Sequence, residues 1–390
     1  MTTTLNLFVI AGEASGDRLG ASLMDGLKHE TNNQVLFNGV GGPMMQESGL
    51  NSLFDMSDLS VMGLVEILPK IPMLLSRVKQ TARAVIAAKP DALMTIDSPD
   101  FCMRVAAKVR ETLPDLKIIH YVAPSVWAWR PERAEKMAKH VDHVLALLPF
   151  EPPLMRAAGM TCDFVGHPVI SDPIPSDPEC QQFRTDIGLT HAPVVTVLPG
   201  SRLGEINRMG PVFEKVLHKI NALRPDAQFI LPVANSVESA VIEKTSSWRV
   251  KPHLLLNTGY ASAQVEERKR LAYKISDAAL ATSGTVALEL AAQDCPMVVA
   301  YKANWMTTRM VKKLAQIDTA NLINIVTDTR VIPEHLFENC TVDKITHSML
   351  NVLANPTAQQ AALTDTMDAL GRGQKDAHLW AAQSVLRAIG

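Results

Sequence analysis

Short runs of consecutive apolar residues alternate through most of this chain with longer stretches whose apolar positions recur every three or four residues. Runs at 5–11, 35–38, 92–96, 118–122, 144–147 and 162–165 have strand length and no polar alternation, the pattern of strands buried on both faces of a parallel sheet. Helical spacing separates them, as at 101–112 and 131–139. The alternation returns with strands at 194–198, 229–233, 254–257, 278–281 and 297–301, and helical patterns alone run from about residue 341. Strands that alternate with helices predict parallel sheets with right-handed crossovers. Between the halves, Pro168, Pro173, Pro175 and Pro178 fall within eleven residues, too dense for a helix or a central strand. The pattern therefore predicts an α/β chain of two nucleotide-sized lobes across a central cleft. They are a first lobe at 1–167, a Pro-rich linker at 168–178 and a second lobe at 179–340. Helices at 341–390 are expected to pack back on the first lobe.

Three strand-to-helix loops carry the candidate binding chemistry, because a strand that ends in a small-residue turn and opens a helix offers backbone N–H groups and a positive dipole end to an anion. After 5–11 comes Gly12-Glu13-Ala14-Ser15-Gly16-Asp17, which is not a G-x-G-x-x-G fingerprint, so no nicotinamide cofactor is expected. A plain helix start capped by Ser15 or Asp17 would explain it. Its place at a strand end favours a ligand site instead, with Glu13 and Ser15 as sugar or cleft contacts. After 194–198 comes Pro199-Gly200-Ser201-Arg202: Gly200 admits close backbone approach, Ser201 donates, and Arg202 presents a fork suited to phosphate. After 278–281, Ser283, Gly284 and Thr285 form a diphosphate cradle, with Glu289 one turn further on as acceptor for ribose hydroxyls.

Two other sites are catalytic or lipid-facing candidates. In Asp97-Ser98-Pro99-Asp100, Pro99 should push Ser98 to an extended conformation and Asp100 should cap the following helix. That leaves Asp97 as the general base, with Asp100 as runner-up. Two of the five tryptophans lie in 121–129, a wall for sugar or acyl chain or an aromatic anchor, and His167 either faces the cleft or bonds the linker backbone. The stretch 61–75 (Val61, Met62, Leu64, Val65, Leu68, Met73 and Leu74) is more apolar than its surroundings. It is either a buried helix interrupted by Pro69 or a surface that meets a bilayer or acyl chains.

Composition narrows the field. At 390 residues with 47% hydrophobic and 20% charged, the chain can bury two cores. A formal charge of -2 and 5% aromatics argue against nucleic acid. Cys102, Cys162, Cys180, Cys295 and Cys340 are scattered without a C-x-x-C pair, so neither a disulfide framework nor a zinc site is expected. There is no basic leader and no run of roughly 18 apolar residues, so a cytoplasmic chain, attached to membrane at most at its surface, is expected.

In their joint order the segments 11–17, 61–66, 96–101, 120–129, 148–151, 165–168, 198–202 and 283–289, with Asn321-Leu322-Ile323 and Pro333-Glu334, resemble the lipid-A-disaccharide synthase family. The resemblance spans nearly the whole chain. It implies a GT-B fold, two Rossmann-like lobes with the donor nucleotide held mainly by the second. It also implies transfer of 2,3-diacylglucosamine from its UDP derivative to 2,3-diacylglucosamine 1-phosphate (lipid X). The products are a β-1,6-linked disaccharide 1-phosphate and UDP. No metal and no cofactor beyond the UDP-sugar substrate are implied, and the protein is expected at the inner-membrane surface. Asn321 is expected to contact sugar. The chain departs from the family pattern at Phe337-Glu338, where a Leu-Gln pair is usual, which puts a donor contact by Glu338 in question. Whether it acts as one chain or a homodimer is left open. Two other readings compete: a UDP-N-acetylglucosamine 2-epimerase-like isomerase, which needs no acyl surface such as 61–75, and a non-catalytic UDP-sugar or lipid-binding module.

Overall fold

The computed structural model describes residues 4–59, 68–189, 192–303, 317–374 and 376–390. The chain forms two compact units, one running to Ser171 and completed by Leu370–Gly390, the other spanning Asp172–Ala369.

The first unit holds a seven-stranded parallel sheet in the order β3-β2-β1-β4-β5-β6-β7. Its strands are β1 (Leu5–Ala11), β2 (Val35–Val40), β3 (Asn51–Ser52), β4 (Ala92–Ile96), β5 (Lys117–Tyr121), β6 (His143–Ala146) and β7 (Thr161–Phe164). Each central strand feeds two cores through its period of two. Leu7, Val9, Ala11, Met94 and Ile96 pack with Leu23, Met24 and Leu27 of the helix Ala14–Glu30. Phe8, Ile10 and Leu93 face the other way, onto Val78, Ala82 and Val85 of Ile71–Ala88 and Val105 and Val109 of Pro99–Thr112. Burying such a side chain contributes about 1.5–3 kcal/mol, which is why the central strands read as unbroken apolar runs.

The last helix, Ala377–Ile389, closes the first of these cores with Ala381, Ala382 and Val385. It comes so near Ala14–Glu30 that a Cβ on Gly26 would lie 2.5 Å from the His378 carbonyl oxygen. Polar contacts fix its register. The His143 ring lies 2.8 Å from the Thr161 hydroxyl and 3.0 Å from that of Ser384, while Asp163 accepts from Ser384 and Arg387.

The second unit is a six-stranded parallel sheet in the order β10-β9-β8-β11-β12-β13. It comprises β8 (Val194–Leu198), β9 (Gln228–Pro232), β10 (His253–Leu255), β11 (Ala278–Ala281), β12 (Met297–Tyr301) and β13 (Glu334–Leu336). Leu203–Leu223 covers one face, where Met209, Phe213, Val216 and Ile220 meet Val195, Val197 and Leu280. Val342–Ala354 joins the same core through Ile345 and Met349. The helices after residue 341 are therefore divided: Val342–Ala354 and Gln360–Ala369 belong to the second unit, and Ala377–Ile389 to the first.

Other departures from the sequence reading are local. Strands β3 and β13, two and three residues long on sheet edges, carry no apolar run to reveal them. Pro178 lies in the first turn of the helix Asp177–Asp186 rather than in a linker. Ser176 precedes that helix, and its N–H and hydroxyl both bond the Glu179 carboxylate. Among the described residues no helix is long and apolar enough to cross a membrane.

Candidate active site

In the second unit the strands β8 to β11 end at one sheet edge, where an open α/β sheet receives its ligands. A cavity of about 600 Å³ lies there, within the roughly 300–1,000 Å³ of small-molecule sites. Its walls come from the loops after β8, β9, β10 and β11 and from the helix Ser262–Lys274. Gly200, Ser201, Arg202, Ser283, Gly284, Thr285 and Glu289 all line it.

Gly200 has φ +121°, and a Cβ there would lie 2.4 Å from that of Glu205, so the turn accepts only glycine. Glu205 stands in the first turn of Leu203–Leu223. It accepts the Ser201 N–H at 3.1 Å and lies 3.5 Å from the Arg202 guanidinium. A carboxylate of the chain thus occupies the anion-ready loop. Arg202 keeps 59% of its side chain exposed, and a pair this open contributes little, about 0–1 kcal/mol, so the guanidinium can turn to another anion. After β11, Ser283 is half-buried and Gly284 and Thr285 are exposed, just before the helix Val286–Ala292.

Glu289 anchors a second charge cluster. Lys269 lies 3.3 Å from it and 2.6 Å from Glu266, and the Tyr273 hydroxyl donates to it at 3.5 Å. Burial pulls the Lys269 pKa down, but Glu289 and Glu266 more than reverse this, so the ammonium stays charged. Both Glu289 contacts use Oε2; Oε1 takes part in neither. Sequence reasoning did not pick out Glu205, Asn257, Glu266, Arg268, Lys269 or Tyr273. Asn257 follows β10, donating to the Val233 carbonyl at 2.6 Å, and Arg268 stacks 3.9 Å from the Tyr260 ring. The Glu266–Lys269 spacing of three was the one available signal, and charge pairs of that spacing occur on any helix.

In the first unit Asp97 comes directly off β4, half-buried, and its Oδ2 accepts the Ser15 hydroxyl at 3.3 Å. Its backbone is left-handed (φ 51°), as are those of Ser98 (φ 42°) and of Val122 (φ 84°), the first residue after the adjacent strand β5. Three such non-glycine residues at one sheet edge, a β-branched valine among them, mark stored strain of the kind that gathers at functional sites. Ser98 is therefore not extended: Pro99 disfavours only the right-handed helical region before it. Nor does Asp100 cap the helix Pro99–Thr112. Ser98 occupies the cap position without a side-chain bond, and Asp100 is exposed in the first turn. The alternative weighed against a ligand site at this loop, a helix start capped by Ser15 or Asp17, also fails. Glu13, half-buried, is the cap residue of Ala14–Glu30, and its side chain does not cap that helix. The buried Asp17 instead takes the N–H groups of Gly42, Met44 and Met45, capping the neighbouring helix Pro43–Glu47.

Other candidates lie apart. His167 is half-buried, its Nδ1 accepting the Val169 N–H at 3.2 Å; burial and then Arg18 push its pKa down to about 4, so the ring is neutral. Asn321 is 2% exposed, caps the helix Leu322–Val326 through Oδ1 at 2.8 Å from the Ile323 nitrogen, and does not line the cavity. Its Nδ2 has no hydrogen-bond partner among the described residues. Val61, Met62, Leu64 and Val65 lie outside the described residues. Leu68 opens a single 3₁₀ turn with Pro69, ahead of the helix Ile71–Ala88 rather than interrupting it. On that helix Met73 and Leu74 are half-buried, and Ile71 and Leu75 exposed. The aromatic segment is anchored by Trp127, which donates to the buried Glu151 at 3.2 Å and meets the Phe150 ring edge-on. Burial drives the Glu151 pKa up to about 7, against the bonds from Leu148 and Trp127. Among the described residues no three His, Cys, Asp or Glu side chains gather as a metal site.

Two parallel-sheet lobes, with a charged nucleotide-sized cavity at the strand ends of the second, define a GT-B-type α/β fold. Solved structures of low sequence identity share it. A UDP-GlcNAc 2-epimerase from Neisseria meningitidis bound to UDP-GlcNAc superposes with a TM-score of 0.61 at 11% identity, covering 98% of both chains. A glycosyltransferase from Rickettsia africae gives 0.58 at 12%, covering 100% of this chain and 98% of its own. Sequence comparison separates these two activities. Residues 7–385 match the family model for lipid-A-disaccharide synthetase. The lipid-A-disaccharide synthase of Ruegeria pomeroyi is 50% identical over 98% of this chain and 95% of its own. That of Rhodospirillum centenum is 42% identical over 99% and 95%. The chain belongs to the lipid-A-disaccharide synthase family, a family of hexosyltransferases.

Proposed function

We propose that the protein condenses UDP-2,3-diacylglucosamine with 2,3-diacylglucosamine 1-phosphate, giving the β-1,6-linked disaccharide 1-phosphate and UDP with inversion at the anomeric carbon. Family membership supports the reaction. The observation that carries its assignment to residues is the sheet-edge cavity whose phosphate-ready loops at Gly200–Arg202 and Ser283–Thr285 come together. UDP occupies that cavity. Its diphosphate exchanges Glu205 for itself at the Ser201 N–H and Arg202, and Ser283, Gly284 and Thr285 hold the other phosphate. The ribose hydroxyls donate to Glu289. Asp97 takes the proton of the acceptor 6-hydroxyl as that oxygen bonds the donor C1. The C1–O bond breaks with its electron pair going to UDP, and Arg202 and the loop N–H groups stabilise the charge that gathers there. No metal or cofactor takes part in this scheme.

The donor and acceptor carry acyl chains, so the protein works at the inner-membrane surface, with 61–75 as the contact. Charged residues placed at Leu64 and Leu68 are expected to reduce vesicle binding at an unchanged melting temperature; aggregation or a large loss of melting temperature would instead make them core residues. The reaction is tested by incubating donor and acceptor with the protein in excess EDTA and following products by mass. Equal yields of disaccharide and UDP are expected. UDP alone would mean donor hydrolysis, and solvent deuterium at C2 of a UDP-sugar would mean an epimerase.

A further inference from the structure

The cation cluster after β5 is not used by this scheme. Trp129 lies beneath two guanidinium groups, that of Arg130 at 4.4 Å from the ring centroid and that of Arg133 at 5.2 Å. All three side chains are half-buried, and Arg130 adopts a left-handed backbone (φ 51°) that turns the loop at this point. Neither guanidinium is paired with a carboxylate among the described residues. Elsewhere in the unit Arg77, Arg110 and Arg387 pair with Asp58, Asp142 and Asp163 at 2.6–2.9 Å. Two like charges over one indole repel each other. Stacking offsets this in part, and a bridging anion with two charged oxygens would offset it further.

The cluster also has a defined place. Strand β5 pairs with β4 in register, Ile96 opposite Tyr121, and the Asp97 N–H bonds the Tyr121 carbonyl at 3.0 Å. The segment that carries the two arginines, Arg130 in the loop after β5 and Arg133 in the first turn of the helix Glu132–Ala138, therefore leaves the sheet at the same edge as Asp97, on the adjacent strand.

We propose that Trp129, Arg130 and Arg133 seat the phosphomonoester of the acceptor, holding the acceptor sugar by its 1-phosphate while Asp97 addresses its 6-hydroxyl. This rests on the acceptor reading given above. It adds a recognition rule: the enzyme should select an acceptor that carries a phosphate over the same diacylglucosamine without one.

The test is steady-state kinetics of the full chain in detergent micelles, with acceptor and donor varied separately and with 2,3-diacylglucosamine lacking the phosphate as a second acceptor. The Arg130→Gln/Arg133→Gln double variant is expected to raise the acceptor KM about 100-fold, the scale of losing charge-assisted hydrogen bonds to an anion. Donor KM and UDP affinity should stay within about threefold of wild type, and the preference for the phosphorylated acceptor should vanish. Should the double variant not fold, Arg133→Gln alone is expected to move acceptor KM and not donor KM. An unmoved acceptor KM, or equal losses for both acceptors, would overturn the seat. So would a variant that loses binding to anionic phospholipid vesicles with its acceptor KM intact, since the pair would then serve lipid headgroups. A wild-type protein that makes no disaccharide would remove the acceptor reading itself, whereas normal wild-type turnover with an unmoved acceptor KM would remove the seat alone.

Discussion

The two sheet edges of this molecule manage charge in opposite ways. At the second unit's cavity Arg202 lies against Glu205, and Lys269 against Glu266 and Glu289. At the first unit's edge Arg130 and Arg133 share an aromatic ring and no carboxylate among the described residues, on the segment that follows β5, while the strained Asp97 follows the adjacent β4. A site that keeps its own carboxylates in place can exchange them for a diphosphate at little net electrostatic cost, and can release the product UDP again. A site with unneutralised cations gains the full attraction when an anion arrives. In our account the first arrangement suits a nucleotide that must leave after each turnover. The second suits an acceptor that must be held in one orientation while its hydroxyl reacts.

The largest effect expected from breaking this division is at Asp97. Asp97→Asn should lower turnover by about 10³-fold, within the 10²–10⁴ range of general-base loss, with the acceptor KM little changed. Near-normal turnover would remove Asp97 as the base. Next in size, Arg202→Ala should weaken UDP binding by about 2 kcal/mol, roughly 30-fold, the scale of a charge-assisted hydrogen bond. Calorimetry reads it directly, and an unchanged affinity would leave Arg202 with no phosphate role.

The smallest effect on turnover is expected at Glu151, which holds Trp127 two residues before Trp129. Its pKa is about 7 in the fold against 4.5 when free, burial being the cause. Between those values the folded protein retains a proton that the unfolded chain has released, so stability falls as pH rises from about 4.5 to about 7. Glu151→Gln should remove that fall, roughly 2–3 kcal/mol between pH 5 and pH 8. Denaturant unfolding at pH 5 and pH 8 measures it, and identical slopes in wild type and variant would show that Glu151 does not titrate in this window.

Strand placement was largely legible in the sequence, since a strand buried on both faces must be apolar throughout, as at β1 and β4. Edge strands were not, because Asn51–Ser52 and Glu334–Leu336 bury too little to need such a run. The cradle loops were legible because strand, turn and helix are contiguous. Lys269 and Arg268 were not, since they reach the cavity from a helix whose placement depends on packing between distant segments. Asp17 shows the limit of local rules. It has the right residue type at a helix start, yet its carboxylate goes to Gly42, Met44 and Met45, some 25 residues away in sequence. The division of the C-terminal helices was equally hidden, because Gly26 and His143, which dock the last one, are recognisable only once the first unit has formed.

In the reaction we propose, proton removal belongs to the first unit and nucleotide binding to the second. Titrating UDP into the Asp97→Asn protein separates the two. Wild-type affinity is expected in a protein whose turnover has collapsed. A tenfold loss of UDP affinity would contradict it, because the two functions would then not be separable between the two sheet edges.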